Sequence, residues 1–91
     1  MKTPKRYPKT LKIRNTEYKL KFVKDISQAS GLCDGADGLI IISKRQSPDN
    51  IFRTLIHEVI HAIEGEYEIK MSHENVYKFE RAIFRFMKDN L

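Results

Sequence analysis

The chain predicts an α+β domain: a small antiparallel or mixed sheet of three to four strands, followed by two packed helices. Period-two alternation of apolar and charged residues fills the first half, and helical periodicity fills the second. The 91 residues contain only 4 Gly and 3 Pro, and no linker, repeat or low-complexity tract separates the halves, so residues 1–91 read as one domain with a basic tail over 1–9. A domain this small folds alone if a tight core or a bound metal supplements burial.

The strands come first. Leu11 and Ile13, then Tyr18, Leu20 and Phe22, alternate with charged residues and predict a hairpin turning through Asn15-Thr16-Glu17. A third short strand ends at Cys33, and Asp34-Gly35-Ala36-Asp37-Gly38 forms the next turn. That segment lacks the alternating ligands and distal glutamate of an EF-hand, so it is not a calcium loop. Leu39 to Ile42 is a continuous apolar run, expected of a strand covered on both faces or of a tightly packed edge.

The helices follow. Ser47-Pro48-Asp49-Asn50 combines a cap, a proline at the first helical position and an acid in the first turn. Phe52, Leu55, Ile56, Val59, Ile60 and Ile63 then form one apolar stripe, with Gly65 as the expected terminator. Ser72 caps a second helix running to about Asp89, whose stripe is Val76, Phe79, Ile83, Phe84 and Met87. Glu80 falls inside that stripe, where an ionised carboxylate is costly unless paired or bound to a metal.

The chemistry concentrates in His57-Glu58-Val59-Ile60-His61. Histidines four apart lie one turn above each other on one helix face, so both imidazoles can reach one metal ion. Glu58 stands beside them to accept a proton from a metal-bound water. Both histidines lie off the apolar stripe, on a side of the helix able to line a cleft.

His57, Glu58, His61 and a glutamate from the next helix resemble the gluzincins, the thermolysin-like zinc peptidases. The short length is similar to the minimal members of that group and to the small ImmA/IrrE-like or SprT-like metallopeptidases of phages and mobile elements. The resemblance spans roughly residues 30–90, through Gly31-Leu32-Cys33-Asp34, Leu39 to Ser43, Thr54 to Ile63 and Ser72 to Glu80. It implies a zincin-like fold, Zn2+ held by His57, His61 and Glu80, Glu58 as general base, and hydrolysis of a peptide or protein substrate. Eighteen residues separate His61 from Glu80, a gluzincin-like interval, while Glu64 and Tyr67 replace the glycine and third histidine of the metzincin pattern.

His73 is the alternative third ligand, since a three-histidine site also suits zinc. If Glu80 takes that place, His73 or Tyr77 is expected to steady the oxyanion of the tetrahedral intermediate. Glu64 and Glu66 are candidates to orient a histidine from behind. A sheet edge next to the metal, either Leu39 to Ser43 or the strand ending at Cys33, would hold the peptide as an added strand.

Composition narrows the remaining classes. One cysteine excludes an internal disulfide and suits a reducing compartment; no apolar run is long enough for a signal peptide or a membrane span. A soluble, cytoplasmic protein is expected. Net charge is +5, with lysines gathered between Lys2 and Lys24. Sparse aromatic interleaving makes nucleic acid the weaker expectation for that basic half. The rival to an enzyme is a non-catalytic, zinc-stabilised module binding nucleic acid or a regulatory protein. Glu58 argues against it, because a structural metal site needs no proton acceptor.

Overall fold

The computed structural model describes residues 3–91 and orders six elements along the chain. They are β1 (Thr10–Ile13), β2 (Thr16–Val23), β3 (Gly31–Asp34), β4 (Leu39–Ser43), α1 (Pro48–Tyr67) and α2 (His73–Asn90). The sheet is mixed, in the order β1-β2-β4-β3: β1 and β3 run antiparallel to their neighbours, and β2 pairs parallel with β4. The α+β architecture is therefore the one the periodicity predicts.

Helix α1 lies between the sheet and α2. Leu55, Val59 and Ala62 face the sheet, packing with Ile13, Tyr18, Leu20, Ile40 and Ile42. Phe52, Ile56 and Ile60 turn the other way, against Val76, Ile83, Phe84 and Met87 of α2. The broad apolar band of α1 thus serves two interfaces, as a helix covered on two sides requires. Tyr7 packs against both clusters, its ring 5.2 Å from that of Phe22 and 6.4 Å from that of Phe52. Part of the basic N-terminal segment is thereby tied to the core, and Met1 and Lys2 lie outside the described residues.

Three local expectations shift. The first hairpin turns through Arg14 and Asn15, not Asn15-Thr16-Glu17, because Thr16 is already paired with Ile13. Arg14 accepts a φ of 55° there, and its guanidinium donates to the carbonyl of Glu66 at the far end of α1. Gly65 does not end α1. The helix continues to Tyr67, and Glu68 supplies the left-handed cap at φ 54°. The extra residues let Glu66 reach the hairpin, where its two oxygens accept from Thr16 Oγ1 at 2.6 Å and Tyr18 Oη at 2.7 Å. On α2, Phe79 is half exposed, because this helix packs chiefly against α1 and its covered strip narrows to the buried Val76 and Glu80 and the partly buried Ile83, Phe84 and Met87.

The Leu39–Ile42 run is an interior strand, not an edge. Ile40 and Ile42 are fully buried under α1, while Leu39 and Ile41 on the opposite face are only partly covered. The turn from Asp34 to Gly38 closes the β3–β4 hairpin, with Asp34 accepting from the amide of Asp37. Gly38 has φ +59° and lies so close to the carbonyl of Glu17 that a Cβ would sit 2.9 Å from that oxygen.

Candidate active site

A cleft of about 480 Å³ opens between the second and third turns of α1, the start of β3 and one face of α2. His57, Glu58, Tyr77 and Glu80 line one end of it; Arg53, Thr54, Asn50 and Gln46 continue it toward the start of α1. The placement follows from helical geometry. Arg53, His57 and His61 succeed one another at four-residue spacing on one side of α1, and Tyr77 and Glu80 share the facing side of α2. Ser47 and Ser72 cap the two helices through the amides of Asn50 and Asn75 and set where each begins.

The two imidazoles meet edge to edge, with Nε2 of His57 3.1 Å from Nε2 of His61. Each ring is held from behind by a carboxylate. Nδ1 of His57 lies 2.9 Å from Glu80 Oε1, and Nδ1 of His61 lies 2.8 Å from Glu64 Oε1. An ionised carboxylate only accepts, so each Nδ1 carries its proton and donates. Each Nε2 is then an unprotonated acceptor in the neutral ring, and two acceptors stand within hydrogen-bond distance of each other. That contact is favourable only when one positive charge is shared between them, as a proton or as a metal ion. Two nitrogens each about 2.05 Å from a tetrahedral ion stand about 3.3 Å apart, so the observed separation suits zinc.

Glu80 is buried, as its position in the apolar strip predicts, and its second oxygen accepts from Arg53 Nε at 3.2 Å. The arginine and the imidazole together compensate the carboxylate, so a metal is not required to explain its burial. Among the described residues no three His, Cys, Asp or Glu side chains form a ready-made metal cage. Two donors, His57 and His61, fit a common ion as they stand, and each has one carboxylate behind it, Glu80 at His57 and Glu64 at His61. Glu64 bridges further, its Oε2 accepting from the amide of Met71 in the connection between the helices. Of the two acids considered for orienting a histidine, Glu64 does so; Glu66 is committed to the hairpin.

Glu58 lies on the sheet side of the cleft and is 7 % exposed. Burial raises its pKa above the ordinary carboxylate value; Glu80 adds to the rise, and the neighbouring His57 and His61 oppose it. A carboxylate poised this way is suited to taking up and returning a proton. The approach of β3 makes the burial possible. Gly31 sits so near α1 that a Cβ there would stand 2.7 Å from Thr54 Cγ2 and 3.2 Å from Glu58 Oε2.

β3 is the outer strand on this side. The amide of Ser43 donates to the carbonyl of Ser30 at 2.9 Å, and antiparallel alternation then turns the backbone groups of Gly31 and Cys33 toward the free edge. Gly31 borders the cleft, so that edge runs along it. Gln46 braces the mouth: its amide donates to the carbonyls of Ser43 and Ser30, and its oxygen accepts from Thr54. Cys33 is half-buried against the core, and its thiol is pushed up to about 11 by burial and the nearby Glu58.

His73 and Tyr77 part company. His73 is exposed at the first residue of α2 and does not line the cleft, whereas the Tyr77 ring centroid lies 5.0 Å from that of His57. Glu74 is likewise exposed and paired with Lys78. Arg53 is the cleft residue that sequence reasoning missed, although its four-residue spacing from His57 signals a shared face.

No helix among the described residues is long and apolar enough to cross a membrane. Comparison with protein-family models, with curated proteins and with solved structures produced no significant match.

Proposed function

We propose that the chain is a zinc-dependent peptidase in which His57, His61 and Glu80 hold the metal and Glu58 is the general base. The observation that carries this reading is the pair of Nε2 atoms 3.1 Å apart, with Glu64 holding the His61 ring and the buried Glu80 within reach of His57. Glu80 would exchange its hydrogen bond with His57 for the ion and keep Arg53 as its partner. When bound, zinc supplies Lewis acidity, lowering the pKa of a water in the cleft and polarising a carbonyl. Glu58 takes the proton from that water and returns it to the leaving amine, roles that its burial beside the histidines favours. Tyr77, against His57 at the cleft wall, is the side chain available to donate to a developing oxyanion, in place of the exposed His73. The substrate is an extended peptide added to the free edge of β3 through the backbone groups of Gly31 and Cys33. A half-buried, unpaired cysteine fits work in the reducing cytoplasm.

The test is metal content and peptide hydrolysis on protein purified without chelator. One zinc per chain, with hydrolysis lost on chelation and restored by zinc, is the expected result. Failure to take up zinc at micromolar supply overturns the proposal. Stoichiometric zinc with no hydrolysis of a broad peptide mixture points instead to a metal-stabilised binding module.

A further inference from the structure

The cleft has one cationic side chain whose donors are only partly used. Arg53 gives Nε to Glu80, and its guanidinium carbon lies 5.7 Å from the centroid of the Phe84 ring. Those contacts hold the fork by its side and its face, and they leave the two terminal nitrogens without a hydrogen-bond acceptor among the described residues. The side chain is 38 % exposed and borders the cleft. An arginine anchored in this way presents a pre-organised pair of N–H groups that matches a carboxylate. The surrounding wall strengthens the preference. Asn50, Thr54, Gln46 and Ser30 are uncharged hydrogen-bonding residues, and among the described residues no large apolar side chain lines this end of the cleft. The first turn of α1, at its positive dipole end, lies on the same side.

We infer that Arg53 selects peptides carrying a carboxylate close to the bond that is cut. This rests on the peptidase reading for its substrate, though not for its recognition chemistry. Arg53 stands one helical turn before His57, about 6 Å along the axis. An extended peptide advances about 3.3 Å per residue, so the carboxylate belongs within about two residues of the scissile bond. An Asp or Glu side chain can supply it, as can the free end of a chain. Neither Asn nor Gln satisfies the fork, because a neutral amide oxygen lacks the charge that makes the paired contact strong.

The experiment uses matched peptides: Asp against Asn, Glu against Gln, and a free C-terminal carboxylate against its amide. Cleavage by the zinc-loaded protein and binding to the Glu58→Gln protein, read by fluorescence anisotropy, are measured in parallel. The expected preference for the acid is about tenfold to a hundredfold, the range of a charge-assisted contact. Arg53→Gln should erase the ratio. Asn50→Asp, which leaves Glu80 and its partners intact, should lower it by placing a competing carboxylate one turn from Arg53. The side-chain and terminal arms tell which source of carboxylate is read. Cleavage without any acid preference, or a ratio unchanged by Arg53→Gln, overturns the inference and spares the peptidase. Acid-selective binding without cleavage does the reverse. Absence of both binding and cleavage removes both.

Discussion

Glu58 and Glu66 lie eight residues apart on α1, yet the structure shifts them in opposite directions. Glu66 meets two hydroxyl donors, Thr16 first and Tyr18 second, and both hold its carboxylate below the ordinary range. In return, burial and the Glu66 bond push the Tyr18 hydroxyl up to about 12. Among the described residues Glu58 meets no donor of that kind, and it is closed in by Gly31 and Thr54, so burial raises it. The two ends of the helix therefore serve different purposes. At the hairpin end Arg14, Thr16 and Tyr18 all donate to Glu66, and the cluster fastens β1–β2 to α1. At the cleft end the contacts are two imidazole nitrogens 3.1 Å apart and a buried carboxylate with no such hydroxyl donor. Such groups are poised to exchange partners with a ligand.

One substitution disables the cleft end alone. Glu58→Gln should keep zinc and reduce hydrolysis by about 10²–10⁴-fold, read as kcat on any cleaved peptide. Unchanged cleavage removes Glu58 from the role of base. Next, Glu80→Ala should weaken zinc binding by well over about tenfold, and His73→Ala should leave it unchanged, measured by competition with a chromogenic chelator. Equal losses would show that His73 joins the site in solution. Gly31→Ala should cost about 1–3 kcal/mol in denaturant unfolding, since the new methyl collides with Thr54 and Glu58.

The pH dependence sharpens the contrast. Glu66 has a lowered folded pKa, so its contribution to stability is complete above the ordinary carboxylate value and disappears as pH falls through the lowered one. Glu66→Gln should flatten the acid limb of the stability curve. Glu58 has a raised folded pKa, so its cost grows as pH climbs from the ordinary value through the raised one. Glu58→Gln should therefore raise the thermal midpoint of the metal-free protein at neutral pH; a lower midpoint would contradict the burial argument. The smallest effect concerns Gly65, an exposed glycine inside α1 with open space around its α-carbon. Gly65→Ala should add about 0.5–1 kcal/mol.

Local signals in the chain already determined the strand and helix segments, both serine caps and the shared face of His57 and His61. Those depend on side-chain period and on hydrogen bonds within a few residues, which a sequence displays directly. Glu80 was legible as a costly buried charge, but its partners were not, because Arg53 reaches it across 27 residues. The extension of α1 past Gly65 and the tighter first hairpin were hidden for the same reason. Both depend on Glu66 meeting Thr16 and Tyr18, about fifty residues away. Only the folded chain decided that β3, not β4, is the free edge, that Tyr77 reaches the cleft while His73 does not, and that the histidines present Nε2 to each other. Each of these turns on which surfaces pack together. Packing between distant segments follows from shape and burial summed over the whole core, not from any local run of residues.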